Sequence, residues 1–303
     1  MANVMTMSHP EKWAAERIIE LLETAELPPW RKTWKGGVDG LPRNGVSDRP
    51  YNGLNRWMLL MAPYESPLFF TPSQIKKLGG NIKKDEKSWP VYFWKFPTKE
   101  DQAAGKRPFC KGYKVFNLAQ TEGMDLSKIK SIKDDAEESG DEINPIEACE
   151  SVVNGYIGPK TEHIEQRAYY NPMFDKINMP RMETFSSAEE YYSTRFHEMA
   201  HSTGHKDRLN REAVAKSAAM FGSHEYSQEE LVAEFTAAML SSTCGIASAT
   251  IENSAAYVKG WHKRLKKDPE CLVMASRQAN KAYHYIIGTD VVKKDADTEA
   301  LSA

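Results

Sequence analysis

The residues that most clearly carry chemistry in this sequence are two histidines, His197 and His201, in the stretch HEMAH. On a helix, residues four apart lie on the same face, so both imidazole rings can reach one metal ion. Glu198 follows the first histidine and is placed to take a proton from a metal-bound water. The spacing predicts a metallopeptidase-like site. The alternative is a chance match to this three-residue pattern on an ordinary surface helix.

A catalytic zinc ion usually takes a third protein ligand, and the sequence offers several candidates. Glu230 lies on a later predicted helix, and Glu234, one turn further, is placed to hydrogen-bond the free ring nitrogen of a ligating histidine. Ser227 and Glu230 also have the spacing of a capping box, which would give Glu230 a structural role instead. Glu229 and Asp207 are the rival ligands. We favour Glu230, and this donor set suits one Zn²⁺ ion best.

Helix signals support the histidine motif independently of its spacing. Ser186 or Ser187 followed by Glu189 or Glu190 is typical of a helix N-terminus, which predicts a helix over 187–203. The stretch RAYYNPMFDKINMP has strand composition, and it is a candidate edge strand along which an extended substrate would pair. Further helices are predicted over 227–243, 250–267 and 269–286.

The first half of the chain is basic and rich in aromatic residues. Residues 1–130 contain 21 Lys and Arg against 14 Asp and Glu, whereas residues 131–303 contain 19 against 28. Basic groups neutralise phosphates and aromatic rings stack on unpaired bases, so this mixture favours single-stranded nucleic acid. The alternative is that the aromatic side chains form the core of a small domain. The candidate DNA-binding residues are Trp30, Arg31, Lys32, Trp34, Lys35, Arg43, Arg49, Tyr51 and Arg56.

The element pattern predicts an α+β chain with two domains. Residues 1–130 mix helices and strands and form an α/β DNA-binding module, the polar and acidic residues 131–145 form a linker or long loop, and residues 146–303 form a metallopeptidase-like domain. The four cysteines include no CxxC pair, which fits a reducing compartment. Because no signal peptide or membrane span is recognisable, we expect a soluble cytoplasmic protein.

Several longer stretches resemble one protein family. LPPWRKTWKGG, LPRNGVSDRPYNGLN, IKKLGGNIKKDEK and KVFNLAQTEGM resemble the N-terminal single-stranded DNA-binding domain of the ArdC plasmid antirestriction proteins. YYNPMFDKINMPRMETF, HEMAHSTGHKDRLNR and YSQEELVAEF resemble the zincin-like domain of the same family. The resemblance implies that His197 and His201 hold the metal and that Glu198 is the base. It places the family's acidic motif on Glu229, Glu230 and Glu234.

The resemblance also implies a protein that coats incoming single-stranded DNA and shields it from host restriction. Two hypotheses follow. In the first, the chain is a DNA-binding enzyme that hydrolyses a peptide bond in a nearby protein, similar to the Spartan-type proteases that cut proteins crosslinked to DNA. In the second, DNA coating alone protects, and the metal site is structural or a relic.

Overall fold

The computed structural model describes residues 41–60, 62–95, 109–129, 144–215, 224–246 and 265–289, together with positions 12, 15, 16, 19 and 20 of an N-terminal helix. Helices and sheets occur in both halves, which confirms the predicted α+β class. The strands are β1 Arg43–Asn44, β2 Leu68–Phe70, β3 Asn81–Ile82, β4 Trp89–Lys95, β5 Phe109–Asn117, β6 Thr121–Glu122, β7 Thr161–Glu162, β8 Tyr169–Asn171 and β9 Lys176–Asn178. The α-helices are α1 Gly53–Leu60, α2 Pro72–Lys77, α3 Pro145–Gly155, α4 Ala188–Ser202, α5 Glu212–Ala215, α6 His224–Thr243 and α7 Pro269–Ile286.

A four-stranded sheet of order β1-β2-β5-β4 organises the first half. Strands β4 and β5 pair antiparallel from Trp89 opposite Val115 to Lys95 opposite Phe109. Helix α2 begins at a complete capping box between Thr71 and Gln74, because each side chain bonds the other residue's backbone N–H. A second, two-stranded sheet pairs β3 with β6.

The second half combines a small sheet with a helical core. The sheet has the order β7-β9-β8, so β8 is an edge strand within the described residues. The stretch read as one strand from its composition is a hairpin, because Asn171 Oδ1 accepts the N–H groups of Met173 and Phe174 and turns the chain. Ser187 caps α4 by accepting the N–H of Glu190 at 3.2 Å, which confirms the predicted helix start.

The helices of the second half lie close to the predicted ranges. Helix α7 spans Pro269–Ile286, which is the predicted range, and Gly288 follows its end with a φ of 68°. Helix α6 begins at His224, three residues earlier than the prediction, so Ser227 lies inside the helix rather than at its cap. Most of the helix predicted over 250–267 lies outside the described residues, although 265–267 are helical.

One hydrophobic core joins the two halves. Trp57 of α1 stacks on Phe235 of α6 with ring centroids 4.0 Å apart, and Ala15, Ile19 and Leu41 belong to the same buried cluster. The first half therefore packs directly on the helix that carries Glu230. The predicted linker lies almost wholly outside the part of the chain that the structure describes. No described helix is both long enough and apolar enough to cross a bilayer.

Candidate metal centre

Helix α4 presents both histidines of the motif to helix α6. His197 Nε2 and His201 Nε2 lie 3.1 Å apart, so the two rings converge on one point, as their spacing predicts. The carboxylate of Glu230 spans both rings. Its Oε2 lies 3.5 Å from His197 Nε2 and its Oε1 lies 3.5 Å from His201 Nε2. Two helices far apart in sequence thus bring two imidazoles and one carboxylate together.

Two other acidic residues of α6 contact the opposite nitrogens of the two rings. Glu234 Oε1 lies 3.4 Å from His197 Nδ1, and Glu229 Oε1 lies 3.2 Å from His201 Nδ1. Each imidazole therefore has one nitrogen facing a carboxylate on its outer side and the other facing the shared point. This arrangement is the usual way in which proteins orient histidine ligands.

The geometry separates the candidates for the third ligand. Asp207 has 74% of its side chain exposed and contacts His205 rather than the histidine pair. Glu229 reaches only the outer nitrogen of His201, because both of its oxygens are bonded to Arg211. Within the described residues, His197, His201 and Glu230 form the group whose donor atoms all lie within 4.8 Å of one another.

The separations among these donors fit a small divalent ion. Zinc–nitrogen bonds of about 2.0–2.1 Å and zinc–oxygen bonds of about 2.0–2.2 Å in a tetrahedron put neighbouring donors about 3.3–3.5 Å apart. The observed separations are 3.1 Å between the imidazoles and 3.5 Å from each imidazole to the nearer oxygen of Glu230. Two imidazoles and a carboxylate also form a donor set that suits a first-row divalent metal.

Of the three groups, only Glu230 is in its metal-binding form when no metal is bound, because raised pKa values leave both imidazoles protonated at neutral pH and a metal ion must displace those protons. Burial lowers the pKa of His201, but hydrogen bonds to Glu229 and Glu230 outweigh it and raise the pKa to about 9. Burial raises the pKa of Glu230, but the two imidazoles outweigh it and hold that pKa well below its usual range. Glu230 is therefore ionised at neutral pH, which is the form that binds a metal.

Glu198 and the edge strand border the same cleft. The cleft has a volume of about 380 Å³ and is lined by the histidine pair, Glu198, Glu230 and residues of the β8 segment, among them Tyr170 and Pro172. Glu198 is buried, with 8% of its surface exposed. A carboxylate, two converging imidazoles and a strand edge that pairs with no other described strand therefore border one water-accessible space.

The structure describes only part of the predicted DNA-binding set. Five of these candidates lie outside the described residues: Trp30, Arg31, Lys32, Trp34 and Lys35. Arg49 is exposed on the loop between β1 and α1.

Three of the predicted DNA contacts are buried, so the structure contradicts their assignment to a DNA-binding surface. Arg43 is buried and pairs with Asp48 at 3.0 Å. Tyr51, 5% exposed, belongs to the core beneath the four-stranded sheet. Arg56 is 1% exposed, donates to Tyr51 O at 2.8 Å and lies over the Tyr283 ring. A side chain enclosed in this way cannot lie against a phosphate, so these residues stabilise the fold.

Arg211 is a site residue that the sequence reasoning missed. It is buried and bonds Glu229 through two nitrogens, Nε to Oε2 at 2.8 Å and Nη2 to Oε1 at 2.6 Å. The loop after α4 carries the rival ligand Asp207, but it is Arg211 of this loop that contacts an acidic partner of the histidine pair. His205, on the same loop, is buried. No local spacing signals Arg211, because its partner is 18 residues away.

Comparison with known proteins matches the two halves of the chain to two different protein-family domains. Residues 148–278 match the family described as zincin-like metallopeptidase, and residues 11–116 match the N-terminal domain of the anti-restriction factor ArdC. The histidine helix thus belongs to a zincin-like metallopeptidase domain, which follows an ArdC-type N-terminal domain. The chain belongs to the ArdC antirestriction protein family.

Solved structures and curated relatives share most of this chain. The antirestriction protein ArdC of plasmid R388 in its metal-free form is 32% identical, with a TM-score of 0.66, and the match covers 96% of this chain and 99% of that one. Its Mn(II)-bound form gives the same identity and TM-score, with 95% and 98% covered.

The curated relatives include two proteins named DNA primase TraC from Escherichia coli, 32% and 30% identical over 95% and 90% of this chain. The match spans only 28% and 19% of their own length. The uncharacterized protein y4eC of Sinorhizobium fredii is 27% identical, over 88% of this chain and 87% of its own.

Proposed function

We propose that this chain is a cytoplasmic antirestriction protein that binds single-stranded DNA and carries a zinc-dependent peptidase-type site. Its proposed role is to protect incoming plasmid DNA from host restriction. One observation carries the enzymatic part: Glu198 borders the same cleft as His197, His201 and Glu230. A purely structural metal site has no use for a further carboxylate beside an accessible cleft.

The proposed chemistry is hydrolysis of a peptide bond. A bound divalent metal supplies a Lewis acid that polarises the substrate carbonyl and lowers the pKa of a water. Glu198 accepts the proton from the attacking water and delivers it to the leaving amine.

An extended polypeptide is the proposed substrate shape. Strand β8 (Tyr169–Asn171) is the free edge of its sheet within the described residues, and its segment lines the cleft beside the histidines. An exposed edge offers backbone N–H and C=O groups to a further strand. A substrate paired along β8 would run past Glu198 and the metal centre.

Replacing Glu198 by glutamine is expected to remove hydrolysis while leaving metal binding intact. Loss of a general base costs about 10²- to 10⁴-fold in rate, and Glu198 is not among the three grouped donors. The measurement is plasmid transfer into restricting and non-restricting recipient cells, together with metal content of the purified variant. Glu147→Gln, an exposed glutamate on α3, is the matched control and should protect as the unaltered chain does.

Full protection by a metal-loaded Glu198→Gln variant would exclude hydrolysis from antirestriction and favour the second candidate function. In that candidate the chain coats DNA and the metal stabilises the fold. A specific contact supports it: Trp57 of the first half stacks on Phe235, the residue after Glu234. A metal ion that holds α4 against α6 would then also stabilise the surface of α6 on which the DNA-binding half packs.

The DNA-binding part of the proposal rests on the basic, aromatic first half and the family. Trp30→Ala and Trp34→Ala are expected to weaken single-strand binding by about 1–3 kcal/mol for each lost base stack. Arg49→Gln should lower the salt dependence by about 0.7 in slope, as expected when one phosphate contact is lost. Fluorescence anisotropy across a salt series measures both effects.

The control for Arg49 is Lys281→Gln, which removes an exposed positive charge from α7 in the acidic half. It should leave DNA affinity and its salt dependence unchanged. Equal losses of unfolding stability and DNA affinity in the tryptophan variants would instead assign Trp30 and Trp34 to the core.

A further inference from the structure

Arg211 forms the most enclosed ion pair around the candidate metal centre. Its guanidinium holds both oxygens of Glu229, at 2.8 Å from Nε and 2.6 Å from Nη2, and both side chains are buried. A planar fork matched to a carboxylate fixes the orientation of both groups. The pair therefore holds Glu229 in one position on α6.

The same guanidinium is anchored on the end of the histidine helix. Arg211 Nη1 donates to Thr203 Oγ1 at 2.7 Å, and Nη2 donates to the backbone oxygen of Ala200 at 2.8 Å. Gly204 permits this approach, because a Cβ there would lie 3.0 Å from Nη2 of Arg211 and 2.7 Å from Val214. Arg211 thus ties the end of α4 to Glu229 on α6.

Glu229 in turn determines which nitrogen of His201 faces the metal position. A carboxylate only accepts hydrogen bonds, so His201 Nδ1, 3.2 Å from Glu229 Oε1, must carry the proton in this contact. The neutral ring then has its lone pair on Nε2, the atom 3.1 Å from His197 Nε2. Glu229 makes this contact in the orientation in which its two bonds to Arg211 hold it.

We propose that Arg211 is a positioning residue of the metal centre, which acts through Glu229 to hold His201 with Nε2 directed at the metal. This inference rests on the metal site of the proposed function. The loop after the histidine motif would then influence metal affinity, although it supplies none of the three proposed ligands. Outer partners of ligating histidines typically change metal affinity by about 10- to 100-fold when they are lost.

A matched control comes from the same loop. Arg208 also binds a backbone oxygen at the end of α4, Ser202 O at 2.6 Å, and also holds both oxygens of a carboxylate, that of Asp175. Its carboxylate belongs to the β8–β9 hairpin, however, and not to the histidine pair. Arg208→Gln therefore reproduces the loss of a loop anchor and of an arginine–carboxylate pair without touching His201.

The experiment compares Arg211→Gln with Arg208→Gln in the full-length chain, with Zn²⁺ and with Mn²⁺ separately, by competition against a chelator of known affinity. Arg211→Gln is expected to weaken binding of both metals by about 10- to 100-fold. Arg208→Gln is expected to remain within about twofold of the unaltered chain, because it breaks no contact to a proposed ligand or its partner. Equal effects of the two substitutions would overturn the proposal and leave Arg211 a general loop anchor.

A double-substitution cycle tests whether Arg211 acts through Glu229. Glu229→Gln alone should weaken metal binding, and Arg211→Gln added to it should weaken binding by less than about threefold further. Full additivity of the two losses would overturn the proposal. If Arg211→Gln does not fold, Arg211→Lys keeps the charge but not the two-pronged geometry, and it should still bind metal more weakly than Arg208→Lys.

The metal-binding experiment distinguishes failure of the proposed metal centre from failure of the proposed role of Arg211. An unaltered chain that binds neither Zn²⁺ nor Mn²⁺ would overturn the proposed metal centre, and the role of Arg211 with it. An unaltered chain that binds metal, with an Arg211→Gln variant of equal affinity, would overturn the role of Arg211 alone.

Discussion

Replacing Glu230 by alanine is expected to lower the affinity for Zn²⁺ or Mn²⁺ by more than about 100-fold, beyond the range typical of lost outer partners. Glu230 is the carboxylate whose two oxygens each lie 3.5 Å from a histidine Nε2, and the three residues form the closest donor group among the described residues. Without it, two imidazoles remain, and two neutral donors neutralise none of the charge of a divalent ion.

The same substitution should remove most of the stabilisation by metal. At a free metal concentration of about 100 times its Kd, a ligand that binds only the folded state adds about 2.7 kcal/mol of unfolding free energy. Thermal unfolding with metal and with chelator should show this difference for the unaltered chain and less than about 0.4 kcal/mol for Glu230→Ala.

The control is Asp207→Asn, because Asp207, in the loop after α4, is the rival candidate for the third ligand. Its side chain is 74% exposed and contacts His205, so the metal affinity should not change. A larger loss for Asp207→Asn than for Glu230→Ala would move the third ligand to the loop and contradict the geometry of the two helices.

Trp57→Ala is expected to lower the free energy of unfolding by about 3–5 kcal/mol, the usual cost of removing a large aromatic side chain from a core. Trp57 is buried and stacks on Phe235, with centroids 4.0 Å apart and planes at 29°. The substitution opens a cavity where α1 meets α6, and the surrounding backbone of two helices cannot collapse to fill it.

Urea unfolding followed by circular dichroism measures this loss. Trp89→Ala is the matched control, because Trp89 is only partly buried and packs at the edge of the smaller core under the four-stranded sheet. Its substitution should cost less. A loss for Trp57→Ala no greater than that for Trp89→Ala would show that α1 does not anchor the first half to the second.

The histidine helix was predictable because its signals are local. Residues four apart share a helix face whatever the rest of the chain does, and Ser187 satisfies an N–H in the first turn of its own helix. The capping box at Thr71 and the proline start at Pro269 are local in the same way. Each depends on hydrogen bonds and sterics within a few residues, which the sequence itself specifies.

The choice between Glu229 and Glu230 as the third ligand depends on tertiary packing and not on local sequence signals. Neighbouring residues on a helix point about 100° apart, so a small rotation of α6 exchanges their roles. Only the packing of α6 against α4 decides that Glu230 faces the Nε2 atoms while Glu229 faces Nδ1 of His201. The sequence therefore favoured Glu230 without excluding its neighbour.

Composition alone did not distinguish buried from exposed side chains in the first half of the chain. Arg43, Tyr51 and Arg56 belong to a basic and aromatic stretch, and such residues serve equally as an exposed nucleic-acid surface or as a polar network inside a core. Arg56 lies over the Tyr283 ring of α7 and against Met239 of α6, so its enclosure depends on two helices more than 180 residues away in sequence.

The sequence by itself determined the class of chemistry, because two imidazoles and a carboxylate on one helical turn are a local arrangement. The tertiary structure alone decided which distant carboxylate completes the site, which arginine returns to support it, and which basic side chains face solvent. These outcomes depend on contacts between segments far apart in the chain, and such contacts form only when the whole core packs.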